Sequence, residues 1–181
     1  MIRVSVAERV AQLRDDFDRS FAEPARVFDS DSVELLAIRA GERPYAVRLA
    51  QSSGVHPDRP VTALPTTVGA LLGVAGFAGT VVPVYDLAAL LGHPIPQRPR
   101  WLLLTTGAPP LALAFHELDR HLRVPVADVL DGVTDDDGVR RGSLRGVVRL
   151  PDGNRPIVDV PAIRVLVHQL AGHRPVTEEN R

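Results

Sequence analysis

Apolar residues follow two different rhythms along this chain. Near the start they fall three and four apart: Val6, Val10, Leu13, Phe17 and Phe21 share one face of a helix. Ser5 and Glu8 ahead of them form a capping box, in which the hydroxyl accepts from the Glu8 amide and the carboxylate reaches back. Pro24 then ends the helix at Glu23. The spacing predicts an amphipathic helix within residues 1–24, with an apolar stripe that needs a surface to cover, on its own domain or on a partner. A polar linker follows over 25–33.

From residue 34 the rhythm changes to short apolar runs broken by Gly, Pro and Asp, which predicts strands. Residues 34–39 and 45–49 flank Ala40, Gly41, Glu42 and Arg43, a hairpin signal. In the second of these runs Tyr45, Val47 and Leu49 alternate with Ala46 and Arg48, so one face is buried. Residues 61–65 read as a short extended piece and 68–72 as one helical turn. The stretch 73–92 reads as apolar strand, glycine turn, apolar strand and short helix. Asp86 caps that helix over 87–91 and Gly92 stops it. Pro83 has no N–H to give a ladder, so it is expected at a sheet edge or a bulge.

A proline-rich connector spans 93–100, after which a similar programme restarts. Residues 101–106 and 111–115 around a Gly-Ala-Pro-Pro turn predict a second hairpin, and 118–124 a further strand. An acidic, glycine-containing loop covers 131–141. A third hairpin follows over 146–150 and 156–160, with its turn at Asp152 and Gly153. Asp159 precedes a helical stretch at 162–170, and 171–181 form a polar tail. The run Val82 to Asp86 matches Arg155 to Asp159, each ending in Pro, two apolar residues and Asp. This predicts an internal duplication of a small antiparallel barrel. A half of about 65 residues is marginal alone, so the halves should share a buried interface.

Composition narrows the function. The 181 residues are 45% hydrophobic and 24% charged, a globular balance. Net charge is −1, without the basic excess that nucleic-acid binding requires. Every basic residue is Arg, and cysteine is absent, which removes disulfides and thiolate chemistry. No apolar run reaches the roughly 18 residues of a membrane span, and residues 1–8 lack a signal-peptide pattern. A soluble, cytoplasmic protein is expected, with no nucleic acid bound and no membrane insertion.

Candidate chemistry fails on spacing. His116 and His121 are five apart, whereas a zinc-protease helix needs four, so a hydrolase built on them and on Asp135 to Asp137 is not supported. Aligning Gly138 to the turn of a calcium loop puts Val133 and Leu144 where carboxylates are needed. Gly73, Gly76 and Gly79 precede a strand, not a phosphate-binding helix. No enzyme, cofactor or metal is expected.

The hairpin with Gly41 and Tyr45, Leu64-Pro65, Gly73-Val74, Gly79, Val82-Pro83-Val84 and Asp86-Leu87 together resemble the CheW family over 34–91. The rest matches more loosely through 102–115, Leu122-Arg123-Val124, Gly146 and 157–160. The resemblance implies a mainly β fold: two SH3-like five-stranded β-barrels in tandem within 34–170, one over about 34–92 and one over about 100–160. Short helices, including 162–170, and the added N-terminal helix complete it. It also implies a non-enzymatic adaptor with two partners. One is the cytoplasmic tip of a methyl-accepting chemoreceptor, held in a groove where Leu49 and Ser52 of the first barrel meet Leu111 and Ala112 of the second. The other is the regulatory domain of a CheA-type histidine kinase, or another CheW-like protein, contacted near Gly54, Leu72, Phe77 and Ala78.

Departures from the family pattern fall at that second surface. The family has Asn-Leu-Arg-Gly where this chain has Gly76, Phe77, Ala78 and Gly79, and it pairs that Arg with a Glu where this chain has Gly54. Losing one member of a buried pair costs about 2–5 kcal/mol, but losing both leaves no unpaired charge. The joint loss suits a stable fold and raises the alternative of an accessory protein that binds a receptor or another adaptor and not the kinase. Leu72 stands where the family has a polar or basic residue, which makes this surface more apolar.

Overall fold

A computed structural model describes residues 31–94, 98–132, 139 and 142–172. The expected N-terminal helix, residues 25–30 of the linker, most of the acidic loop and residues 173–181 lie outside the described residues, and the last two linker residues, Ser32 and Val33, already belong to the first strand. The fold is mainly β, with eleven strands among the described residues.

The first hairpin pairs β1 (Ser32–Ala40) with β2 (Arg43–Arg48), Ala40 opposite Arg43. Its two-residue turn places Gly41 at φ 64°, a conformation cheap only for glycine. A 3-10 turn, Leu49–Gln51, then leads the chain into β3 (Ser52–Pro57) of a different sheet. There β4 (Leu71–Phe77), β5 (Thr80–Asp86), β6 (Trp101–Thr105) and β7 (Ala112–Phe115) complete the order β3-β6-β7-β5-β4. Next, β8 (Glu117–Pro125) returns to the first sheet. That sheet is finished by β9 (Val129–Leu130), β10 (Leu144–Val148) and β11 (Arg155–Val158), in the order β8-β1-β2-β11-β10-β9. Two helices follow capping aspartates: α1 (Leu87–Leu91) after β5, and α2 (Val160–Gly172) after β11.

The sheets therefore do not divide the chain at the proline-rich connector, as 34–92 and 100–160 would have it, and one sheet has six strands. Two hairpins sit between strands of the other half. Hairpin β1-β2 joins β8 to β11, and hairpin β6-β7 joins β3 to β5. The turn expected over 68–72 is also corrected. Leu71 donates to the Val68 carbonyl at 2.9 Å, and β4 begins at Leu71 itself, because pairing with β5 buries more of this apolar run than one helical turn would.

Strand alternation divides the core three ways. Leu36, Ile38, Tyr45, Val47, Leu103, Leu113 and Phe115 point into a central cluster shared by both sheets, roofed by α1 and α2. Their neighbours in sequence point the other way. Ala75, Phe77, Val82, Val84, Leu102, Ala112 and Ala114 fill the concave side of the five-stranded sheet, while Leu35, Ala46, Val148 and Ile157 fill that of the six-stranded sheet. Central strands are thus apolar on both faces, which explains continuous runs such as Leu102 to Leu104. The five-stranded sheet curls until its edges meet through side chains, the His56 ring of β3 lying 5.0 Å from the Phe77 ring of β4.

Pro83 lies in β5, an inner strand, and is tolerated there for a local reason. Val74 opposite it exchanges both backbone bonds with Thr62, at 2.8 and 2.9 Å, so the Val74–Pro83 pair needs no N–H from the proline. Pairing of β5 with β7 starts only at Val84, and a bulge between Leu71 and Gly73 follows.

The duplication shows residue by residue. Gly73 and Gly146 both adopt positive φ beside a bulge, and a Cβ on either would strike a backbone carbonyl, Thr62 O at 2.0 Å and Leu130 O at 2.4 Å. Asp86 and Asp159 both donate N–H to the residue before the preceding strand, Ala70 and Ser143, at 2.8 and 2.9 Å. Both carboxylates cap a helix, accepting from Ala89 at 2.9 Å and Ala162 at 3.1 Å. Gly73 and Gly146, Ala70 and Ser143, Asp86 and Asp159, and Ala89 and Ala162 share one separation along the chain, while Thr62 and Leu130 do not.

Candidate functional site

The four residues expected to line a receptor groove come together, but not all at the surface. Leu49 lies in the 3-10 turn that passes between the sheets, half-buried against the central cluster. Ser52 opens β3, and its hydroxyl accepts from the Gly54 N–H at 3.2 Å, which fastens a bulge. Ser52 is paired with Thr105, and Thr105 gives both its N–H (2.9 Å) and its hydroxyl (3.0 Å) to the Leu111 carbonyl. Leu111 is only 4% exposed and Ala112 is fully buried. They are core residues behind Leu49 and Ser52 and present no side chain to a partner, because β7 is covered on one side by the central cluster and on the other by the interior of its own sheet.

What reaches the surface at this junction is different. Arg164 of α2 donates to the Thr105 hydroxyl and to the Pro109 carbonyl, both at 2.7 Å. Thr106 N–H bonds the Gln51 carbonyl at 3.0 Å. The Gln51 side-chain oxygen is buried with no hydrogen-bond partner among the described residues. A strip of polar groups from Gln51 to Ser53, Thr105 to Pro109 and Arg164 thus borders Leu49. Sequence reasoning missed Thr105 and Arg164; the signals available were a polar pair ahead of Gly107 and a lone cation in an apolar helix.

The second group does not form one patch. Ala78 and Gly79, at φ 46° and 81°, make the two-residue turn between β4 and β5, with both φ values positive as a twisted hairpin requires. Ala78 is exposed at the tip, but Phe77 is 6% exposed and belongs to the core. One edge of the Phe77 ring meets His56, and the Arg59 guanidinium lies 4.6 Å from its centroid. Gly54 lies on the same side, since a Cβ there would press on the His56 ring at 2.9 Å. Leu72 is at the opposite end of β4, roughly 16 Å away along an extended strand. There it lines a cleft with Val61, Arg98, Arg100 and Leu102, whose lining also includes the Arg59 that lies over Phe77.

Titratable groups show no catalytic arrangement among the described residues. Asp86 is fully buried. Desolvation raises its pKa, against the lowering effects of the Ala89 and Ala88 amides and the His116 charge. One of its oxygens caps α1 and the other has no hydrogen-bond partner among the described residues. His116 accepts from the Gly41 N–H at 2.9 Å, tying the first hairpin's turn to the start of β8. These groups are structural: they close turns and helix ends inside the core. No cluster of three or more metal-ligating side chains occurs among the described residues, and no helix there is long and apolar enough to cross a membrane.

Residues 34–166 match the family described as the CheW-like domain. The chain belongs to that family. A probable chemotaxis protein CheW of Rhizobium etli is 37% identical over 59 residues, which is 33% of this chain and 38% of that protein. The chain thus spans well under half the length of this relative. The fold is similar to that of the scaffolding protein TtCheW of Thermoanaerobacter tengcongensis, with a TM-score of 0.63, 14% identity, and coverage of 70% of this chain and 88% of the other. At that identity the likeness concerns fold alone. In this CheW-like domain, the segment 34–91 that carries the sequence resemblance supplies strands to both sheets.

Proposed function

We propose that this chain is a non-enzymatic, cytoplasmic adaptor that joins the tip of a chemoreceptor to a CheA-type histidine kinase in a chemosensory array. The observation that carries the reading is the CheW-like match across 34–166, on a fold whose conspicuous buried polar groups are caps and turn closures. The receptor tip, a helical hairpin, would lie beside Leu49 and Ser52 with Arg164 and the 105–109 loop as the facing wall, a helix-in-groove mode. Individually weak contacts of this kind gain strength from repetition across an array.

Binding of a receptor-tip fragment to Leu49→Asp protein, shown folded by circular dichroism, tests the groove. The expected loss is about tenfold or more, since burying an unpaired carboxylate against the tip opposes binding. Wild-type affinity would remove the groove assignment. Leu111→Asp is unsuitable for the purpose, because a charge at a 4% exposed core position tests folding instead.

A second reading has a specific observation in its favour. Gly54 and Ala78 stand where the family has its Glu–Arg pair, and Phe77 is withdrawn into the core beneath the Arg59 guanidinium. On this reading the protein binds a receptor or another CheW-like protein and leaves the kinase to a different adaptor. A pull-down with the purified kinase regulatory domain separates the two: micromolar binding that depends on the Ala78 turn eliminates the accessory role.

A further inference from the structure

The five-stranded sheet opens at one end into a cleft of about 960 Å³. Its floor is apolar. Leu102, 3% exposed, lies at the bottom, and Val61 and Leu72 stand half-buried on the walls, continuous with the cluster inside the sheet. Its rim is cationic, with three arginines, Arg59, Arg98 and Arg100, against one carboxylate, Asp58.

The rim is built, not incidental. Asp58 holds φ at 50°, an uncommon conformation for a residue with a side chain. In that conformation its N–H bonds the Arg100 carbonyl at 2.8 Å, and its carboxylate takes the Arg100 guanidinium in a fork at 3.0 to 3.2 Å. Arg59 is fixed over Phe77 and donates to the Gly76 carbonyl. Arg98 is exposed, and no described residue pairs with it. A greasy floor under two oriented guanidiniums and one uncommitted guanidinium is complementary to a chain that carries carboxylates on both sides of an aliphatic side chain.

We infer that this cleft docks a short acidic segment of a partner protein, one aliphatic side chain entering over Leu102 while the flanking carboxylates meet Arg98 and Arg59. The inference does not rest on the adaptor reading; it takes Leu72 from the group expected at the kinase contact and none of the residues at the Leu49 to Arg164 junction.

The test uses the full chain and a fluorescein-labelled peptide of two leucines set among four glutamates, with fluorescence anisotropy as the readout. Expected is saturable binding with Kd in the micromolar range, weakened about tenfold or more by Arg98→Glu, by replacing the peptide leucines with serine, and by raising salt from about 50 to about 300 mM. Arg98→Glu leaves the fold intact, because its side chain is exposed and pairs with no described residue. No saturable binding below about 1 mM, equal binding of a peptide with lysine in place of glutamate, or indifference to Arg98→Glu would each overturn the proposal. So would concentration-dependent self-association that Arg98→Glu abolishes, since the occupant would then be a second copy of this chain. Leu49→Asp is expected to leave peptide binding unchanged, and Arg98→Glu to leave receptor-tip binding unchanged, so either reading can fail without the other.

Discussion

Gly73→Ala is expected to be among the most damaging one-carbon additions to this protein. The added Cβ would lie 2.0 Å from Thr62 O, 2.7 Å from Thr62 C and 2.9 Å from the Ala63 Cα. All three are backbone atoms and cannot rotate away, so the 62–63 segment must move. Moving it breaks the reciprocal Thr62–Val74 hydrogen bonds, at about 0.5–1.5 kcal/mol each. The φ of 140° adds about 1–3 kcal/mol for any residue with a side chain. Together these give roughly 2–6 kcal/mol, a large part of a typical domain's 5–15 kcal/mol. Guanidinium unfolding followed by circular dichroism reads the change, with Gly76→Ala as the control: it lies three residues along the same strand, where a Cβ meets nothing within 4 Å, and should be neutral or mildly stabilising. If Gly73→Ala lies within about 0.5 kcal/mol of wild type, the close approach of the Thr62 strap is wrong. The walls of the arginine-rimmed cleft would then be wrong as well, because Val61, Ala63 and Leu72 line it.

Three further outcomes are expected. Ala78→Asn should stabilise by about 0.5–1 kcal/mol, because Asn tolerates the left-handed conformation Ala78 holds at φ 46° and Asn-Gly is a preferred pair for this turn; denaturant midpoints measure it, and a lower midpoint refutes it. Asp86→Asn keeps a capping oxygen, whereas Asp86→Ala loses it at a cost of about 1 kcal/mol. Desolvation raises the Asp86 pKa above its model-compound value of 3.8, so its contribution is fully present below that value and is lost as pH rises through the folded-state pKa; wild type should therefore gain on Asp86→Asn between pH 7 and pH 4, and the opposite slope in paired denaturation curves would refute the burial argument. Finally, fragments 31–94 and 98–172 should each be unfolded alone and regain β-sheet circular dichroism on mixing, since each sheet takes strands from both; a fragment that folds by itself contradicts the strand exchange.

Much of the fold was legible because local chemistry and global pairing agree. The turn residues Gly41, Gly79 and Asp152-Gly153, the alternation in β2, and the Asp86 cap with its Gly92 stop each act over a few residues, the range over which sequence patterns carry information. Which hairpin joins which sheet was not legible. Strands buried on both faces show the same apolar run whichever neighbour they take, so nothing in Leu102 to Leu104 or Leu35 to Ile38 names its partner. The Val68 to Leu72 run was ambiguous for the same reason. At the candidate site, the resemblance to the CheW family placed Leu49, Ser52, Leu111 and Ala112 in one neighbourhood but could not say which of them is covered. Exposure there is decided by layers packing from distant segments, and Arg164 enters only through a helix more than a hundred residues along the chain from Leu49 and Ser52.

The strand exchange has a mechanical consequence for an adaptor. Had each half closed its own sheet, the halves would have met across one interface and could rock about the 93–100 connector, as domains joined by a single linker do. Here the chain crosses between the sheets at the Leu49–Gln51 turn, and parallel pairs lock the exchange on both sides, β11 to β2 through Ile157 and Ala46, and β5 to β7 through Val84 to Asp86. Rotating residues 31–94 against residues 98–172 would pull those ladders apart and expose the central cluster around Tyr45 and Phe115. The Leu49 to Arg164 junction and the arginine-rimmed cleft are therefore held at one separation and angle. A protein whose proposed task is to hold two partners in fixed register needs that rigidity more than it needs any reactive group.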